Sequence, residues 1–438
     1  MATPRALAPL RHSHYRRLAT SLALSLFEQG LWAVGVVWQV VALDGGPAAL
    51  SLVTAVAAGG MLVSTLLGGA LADRLPQRHI LLSVELIQGI AIGVAAALSL
   101  AGVLALWHLA VVSLIGGVAL GLYYPAYSAL VPVLVPTGDL LAANGLEGVV
   151  RPVLSQAAGP AAAGFLVAAL SPGAALAAAA VAAFGAAACV ATLPVQDRNG
   201  GEGPAGPRMT GLLADVREGF RYMVGTPWLL ATLLFASVML LTFIGPFEVL
   251  VPFAIKAAGG GPAQHAYVLA AFGIGGAVGS LVVASLRLPR RYLTVMNLLW
   301  GVGCIPLVVF GLTTRLWVML AAGAVMGATF QAGMVIWGTL LQRRVPAAML
   351  GRISSLDFFV SVSFMPVSMA LAGPVSELIG LTATFLLGGL APAVLAVIAI
   401  VAAHMPADEI AHPLDVPAEP IPEAPVDDPL AGQPVDRV

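Results

Sequence analysis

The sequence predicts an all-α membrane protein, with twelve transmembrane helices arranged as two pseudo-symmetric six-helix bundles. Three observations carry this reading. Hydrophobic residues fill 59% of the 438 positions and charged residues only 9%, against ~25% charge in a soluble globular chain. Twelve apolar runs come close to the ~20 residues that a helix rising ~1.5 Å per residue needs to cross a bilayer. The second half of the chain also echoes the first.

The runs cover approximately 17–42, 49–72, 79–101, 109–135, 142–168, 173–193, 228–253, 266–286, 293–312, 316–340, 353–377 and 380–403. Arg5, Arg11, Arg16 and Arg17 precede the first. It runs on to Ala42 without a small-residue cleavage site, so it reads as a retained span, not a signal peptide. Residues 152–196 carry no charge, and Ser171-Pro172-Gly173 divides them into two helices because proline withholds a helix hydrogen bond.

The one long connection, Pro194 to Thr226, opens with Gly, Pro and charge. Met209, Leu212, Leu213, Val216 and Phe220 then follow at helical spacing, which predicts an amphipathic helix on the cytoplasmic membrane face or packed as a loop helix. The expected organisation is therefore an N-terminal bundle over 1–193, a linker over 194–226 and a C-terminal bundle over 227–403. Beyond Met405 the composition turns to Pro, Asp and Glu, predicting a disordered cytoplasmic tail over 404–438.

An even number of spans puts both termini on one side. Sixteen arginines collect there, from Arg5 to Arg352, against Lys256 and Arg315 on the other, so the positive-inside rule makes the termini cytoplasmic. The repeat aligns Val135-Pro136 and Leu140 with Val345-Pro346 and Leu350 at an offset of 210, and Gly159-Pro160 with Gly373-Pro374 at 214. Pro76-Gln77-Arg78 matches Pro289-Arg290-Arg291 more weakly at 213.

Several function classes are excluded. A net charge of -1 gives no basic footprint for nucleic acid. Cys189 and Cys304 both lie in apolar runs, which excludes a disulfide framework or a Cys-rich zinc site. The single lysine, Lys256, is followed by Ala257, so there is no phosphate-binding Gly-Lys-Ser/Thr loop. Neither Gly-x-Ser-x-Gly nor His-Glu-x-x-His occurs, which argues against an intramembrane hydrolase. No catalytic residue, metal or cofactor is expected.

The loop between the second and third runs reads Gly69-Ala-Leu-Ala-Asp73-Arg74-Leu-Pro76-Gln77-Arg78. It resembles the helix 2–3 loop of the major facilitator superfamily, Gly-x-x-x-Asp-Arg/Lys-x-Gly-Arg-Arg/Lys, with Gly69, Asp73, Arg74 and Arg78 matching. Pro76 replaces the family's glycine and Gln77 its first basic residue, so the turn is stiffer and one charge weaker. Leu120-Gly-Leu-Tyr-Tyr-Pro125 through Pro136, followed by Leu140-Leu-Ala-Ala-Asn144-Gly-Leu, is similar to the enterobactin-exporter and macrolide-efflux branch. The similarity covers most of residues 10–405. Two departures stand out: no basic residue lies between His108 and Asp139, and Gly159-Pro160-x-x-x-Gly164 keeps only part of the helix 5 antiporter motif.

Ionisable groups within spans cost at least ~2.5–3.5 kcal/mol each at a helix centre and are functional candidates by default. Glu28, Trp32, Gly35 and Gln39 share one face of the first helix and read as a stripe facing a cavity. Asn144, Glu147, Arg151 and Ser155 share a face of the fifth, with Glu147 and Arg151 in the favourable order for an intrahelical pair. The 210 offset places Glu147 on Asp357 and Asn144 on Ser354. Asp357 has no basic residue four positions along, so it is the first candidate to load and release a proton as a cavity opens to either side. Glu248 is the second. Glu85 is expected to partner the Arg74 and Arg78 hinge, not a substrate.

The resemblance implies a secondary transporter working by alternating access. Asp73 would dock at the start of helix 11 near Gly351 and Arg352, where a helix N-terminus and a guanidinium favour an anion. Arg74 and Arg78 would hold the loop. Spans dominated by Ala, Leu, Val and Gly suit an amphipathic organic small molecule, so a drug, siderophore or secondary metabolite is the expected cargo. Export is implied by the branch, with uptake or lipid flipping by the same fold as the alternative and a transport-inactive receptor or scaffold as a remote one. The expected partners are that small molecule, a coupling proton and the lipid bilayer, with no nucleic acid; the carrier is expected to be a monomer. Nineteen arginines to one lysine in an Ala/Gly/Pro-rich chain point to a GC-rich bacterial genome, and so to the bacterial inner membrane.

Overall fold

The computed structural model describes residues 5–136, 139–194 and 209–414. Every regular element among them is helical. After a 3-10 segment over Arg5–Arg11 come α1 (Ser13–Ala42), α2 (Pro47–Arg74), α3 (Gln77–Leu100) and α4 (Leu106–Leu134). The fifth span joins α5 (Leu140–Arg151) to α6 (Gly159–Ala169) through a π-helical segment, Pro152–Ala158, and α7 (Pro172–Ala191) is the sixth. α8 (Met209–Gly225) leads into α9 (Pro227–Gly245), which continues through a second π segment, Pro246–Leu250, into α10 (Val251–Ala257). α11 (Pro262–Ser285) follows. The ninth span is α12 (Tyr292–Gly303) joined to α13 (Val309–Leu312) through a 3-10 turn. α14 (Leu316–Arg344), α15 (Ala347–Ser363), α16 (Met365–Ile379), α17 (Leu381–Ala402) and α18 (Met405–Ala411) complete the order.

Among the described residues, twelve stretches are long and apolar enough to cross a membrane. Four of them are interrupted, and each break carries a proline: Pro152, Pro246, Pro306 and Pro366. Proline removes a backbone donor and crowds the carbonyl one turn earlier, so the ladder widens into a π turn or shifts register. Ser171 caps α7 by accepting from the Ala174 amide at 3.2 Å, with Pro172 in the first turn.

Within the first half α2 packs on α4, and α7 packs on both α1 and α3. In the second half α11 packs on α14, and α17 packs on both α9 and α12. Small residues set the closest approaches, as expected where lipid removes any hydrophobic drive between helices. A Cβ on Gly117 would stand 1.9 Å from the Ala57 carbonyl oxygen, and one on Gly327 would stand 1.9 Å from that of Phe272. These two glycines are 210 residues apart, the offset at which the sequence repeats.

Contacts between the halves join α2 to α16 and α6 to α11. Gly373 lies against Pro47 and Ala48, its amide donating to the Ser51 hydroxyl at 2.7 Å, while Gly164 lies against Ala266 and Pro262. All of these residues sit at the ends of the spans remote from Arg16, Arg17 and Arg78. The halves are thus closed together on the side opposite the arginines.

In the linker, α8 packs against α9 and α15 with Met223 buried; residues 195–208 lie outside the described residues. The segment after α17 departs from expectation. Disorder is predicted from position 404 onward, yet Met405–Ala411 form a docked helix. Met405 is fully buried, and Glu409 accepts from the Thr294 amide at 2.7 Å and its hydroxyl at 3.0 Å. Asp408 accepts from Arg344 at 2.6 Å, and the Tyr292 hydroxyl donates to the His412 carbonyl at 2.8 Å. Acids that read as solvated find donors at the free N-terminal amides of α12 and the last turn of α14. Residues 415–438 lie outside the described residues.

Candidate functional site

A cavity of about 310 Å³ lies where the halves meet, within the ~300–1,000 Å³ usual for small-molecule sites. α1 supplies Glu28 and Trp32, α3 supplies Glu85 and Gln88, and α4 supplies Ser113 and Tyr123. From the other half come Phe247 and Glu248 of the π segment, His265 of α11, and Met365 and Met369 of α16. Most of the remaining wall is Ala, Val, Leu and Gly.

The polar part of the first half is a register between α1 and α3. Ser25 donates to Glu85, the Gln88 amide donates to Glu28 at 3.1 Å, and Ser99 donates to Gln39 at 2.7 Å. Each pair is separated by 60 positions. The two helices run the same way across the bilayer, so equal spacing along each keeps all three pairs aligned. Glu28 and Glu85 are 2% and 3% exposed, and the Tyr123 hydroxyl stands 3.5 Å from Ser25 Oγ.

Glu248 is built differently. The π segment begins at Pro246 and Gly245 is fixed to α16, its amide donating to Ser368 at 2.8 Å. Phe247, Val249 and Leu250 are buried, whereas Glu248 is exposed to the cavity, with no hydrogen-bond or ion-pair partner among the described residues. His265 is 3% exposed and its Nδ1 has no partner among the described residues.

The remaining residues singled out in the sequence are distributed as follows. The helix 1 stripe divides: Glu28 and Trp32 reach the cavity, while Gly35 packs on Leu176 and Gln39 is held by Ser99 away from it. Arg151 donates to Glu147 at 2.6 Å and lies 5.4 Å from the centre of the Tyr124 ring, so these charges pair with each other and not at the cavity wall. Asp357 accepts from the Trp337 indole at 2.9 Å and from Ser361 at 3.2 Å, also outside the wall. Arg78 donates to the Ala191 carbonyl at 2.6 Å, capping the end of α7. The side chains of Gly69, Asp73, Arg74, Asn144 and Arg352 lie outside the described residues.

Glu85 corrects the expectation that it partners the hinge. It belongs to Ser25 and the cavity, because eight residues of helix beyond Gln77 lift it ~12 Å above the α3 start. Gln88, Tyr123 and His265 were also missed. The matching intervals of Ser25, Glu28 and Gln39 with Glu85, Gln88 and Ser99 were a readable signal. His265 had none, since a lone histidine in an apolar run has no pattern. Among the described residues no cluster of His, Cys, Asp and Glu could hold a metal.

The model of the transmembrane secretion effector family matches residues 4–433. The multidrug efflux pump Tap of Mycolicibacterium fortuitum is 26% identical over 385 residues, covering 85% of this chain and 91% of Tap. An uncharacterised major-facilitator-type transporter of Sinorhizobium fredii, y4rN, is 32% identical over 280 residues, covering 62% of this chain and 65% of that protein. Among solved structures, the nucleoside transporter NupG superposes with a TM-score of 0.68 at 14% identity, covering 88% of this chain and 98% of NupG. A D-xylose–proton symporter does so at 0.64 and 16%, covering 89% and 95%. Matched across nearly its whole length, and folded as twelve spans in two halves about a cavity, the chain belongs to the transmembrane secretion effector family of major facilitator transporters.

Proposed function

We propose that this transporter exports an amphipathic organic small molecule, of the drug, siderophore or secondary-metabolite kind, by proton-coupled alternating access. The observation that carries the reading is the cavity between two halves whose main contacts, α2 on α16 and α6 with its preceding π segment on α11, lie toward one end of the spans. A site enclosed by two pseudo-symmetric bundles reaches opposite faces of the membrane when one rocks on the other. With the arginine-rich face cytoplasmic, the closed side is the outer one and the cavity collects cargo from the cell interior. Similarity to Tap, an efflux pump by name, supports the outward direction.

Residues 1–193 and 227–403 would be the rocking units, joined by 194–226, in the inner membrane of a bacterium. The carrier would work as a monomer, without a cofactor. Asp73 would dock on the start of α15 near Arg352 when the cavity opens outward. Glu28, Glu248 and Asp357 are the acids offered for proton traffic, and Trp32 for cargo contact. Gln39 and the Glu147–Arg151 pair would serve as positioning groups.

The test is untargeted metabolite profiling of cells and medium from the native host, with the gene intact, deleted, or carrying Asp73→Asn. The expected result is one compound lost from the medium and accumulated inside, in deletion and variant alike. A compound that lingers in the medium of the deletion strain would make the protein an importer.

A further inference from the structure

We propose that the cavity selects a lipophilic organic cation, with Glu248 as its counter-charge. The inference rests on the transport reading and adds the substrate's charge. Three carboxylates from opposite halves line the cavity: Glu28 and Glu85 from the first, Glu248 from the second. Among the described residues no Arg or Lys belongs to the wall, and His265 is its one other ionisable side chain apart from Tyr123.

The three acids are not equivalent. Glu28 is held by Gln88, and Glu85 by Ser25 with Tyr123 alongside. These neutral donors fix each group and add no cation. Glu248 has neither donor nor cation among the described residues, and it stands on a π turn that faces it to the empty space. Single-turn π segments recur at functional sites because they re-aim one side chain. A lone acid in a low-dielectric setting attracts an opposite charge far more strongly than it would in water.

The rest of the wall suits the body of such a molecule. Trp32, Tyr123 and Phe247 bring aromatic rings to the wall, the side-chain type that attracts a desolvated cation. Met61, Met365 and Met369 supply adaptable thioethers. Because Glu28 and Glu248 belong to different halves, a cation between them would also be released as those halves separate.

The experiment measures equilibrium binding of radiolabelled tetraphenylphosphonium to the purified full chain in lipid nanodiscs. Tetraphenylborate, nearly the same shape with opposite charge, and neutral triphenylphosphine oxide serve as competitors. Saturable binding of the cation is expected, with displacement by neither competitor, a loss of affinity of at least ~10-fold in Glu248→Gln and substantial recovery in Glu248→Asp. Displacement by tetraphenylborate or by the oxide, or unchanged affinity in Glu248→Gln, would overturn the proposal. If the Gln variant fails to fold, the competitor series on the native chain still decides. An anionic or neutral compound identified by the profiling would overturn cation selection and leave export standing. Cation binding without any profiling phenotype would do the reverse.

Discussion

Among the described residues, Asp357 keeps a carboxylate inside a helix bundle without a cation partner. The Trp337 indole and the Ser361 hydroxyl satisfy one oxygen each, and Trp337 is itself wedged between Trp228 and Trp300, with ring centres 6.3 and 6.2 Å away. Neutral donors can be kept while the acid gains or loses a proton, which an arginine partner would oppose. Asp357→Asn is therefore expected to cut uphill, proton-driven export by at least ~10-fold while leaving downhill exchange of the same compound largely intact. Counterflow and pH-driven flux in vesicles would separate the two, and equal loss of both would assign Asp357 a packing role. The sequence identified this acid and its missing basic neighbour, because both are local facts. Its actual partner Trp337 is twenty positions away on another helix, and no spacing rule reaches across helices.

Among the elements, the spans were legible because length and hydropathy are properties of each segment alone. Their internal breaks were less so. Pro152, Pro246, Pro306 and Pro366 mark the four interrupted spans, but Pro125 and Pro132 lie inside an unbroken α4, so proline alone does not distinguish a kink from a break. The repeat was legible in the loops, and it returns in the packing as Gly117 on α2–α4 and Gly327 on α11–α14. Gly117→Ala and Gly327→Ala would each drive a methyl group into a backbone carbonyl, for which about 1–3 kcal/mol of destabilisation is expected. Thermal unfolding in detergent should fall for both variants by similar amounts. A large fall for one and none for the other would contradict their equivalence. α18 escaped the sequence because its acids are stabilised by Thr294 and Arg344, more than sixty positions upstream.

For the whole molecule, the structure is a pair of bundles about a shared cavity, closed toward the arginine-poor face that carries Lys256 and Arg315. Gly373 and Gly164 permit that closure by bringing the two halves into close contact, Gly373 against Pro47 and Ala48 and Gly164 against Ala266 and Pro262. Closure of the arginine-rich face is the role proposed above for Asp73, since the N-terminus of a helix such as α15 favours an anion. The decisive measurement is flux of the compound named by profiling in proteoliposomes with an imposed pH gradient, comparing the native chain with Asp73→Asn. Accumulation against the compound's own gradient, abolished by a protonophore and reduced at least ~10-fold in Asp73→Asn, is the expected result. Flux that ignores the pH gradient and is unchanged in Asp73→Asn would contradict proton-coupled alternating access.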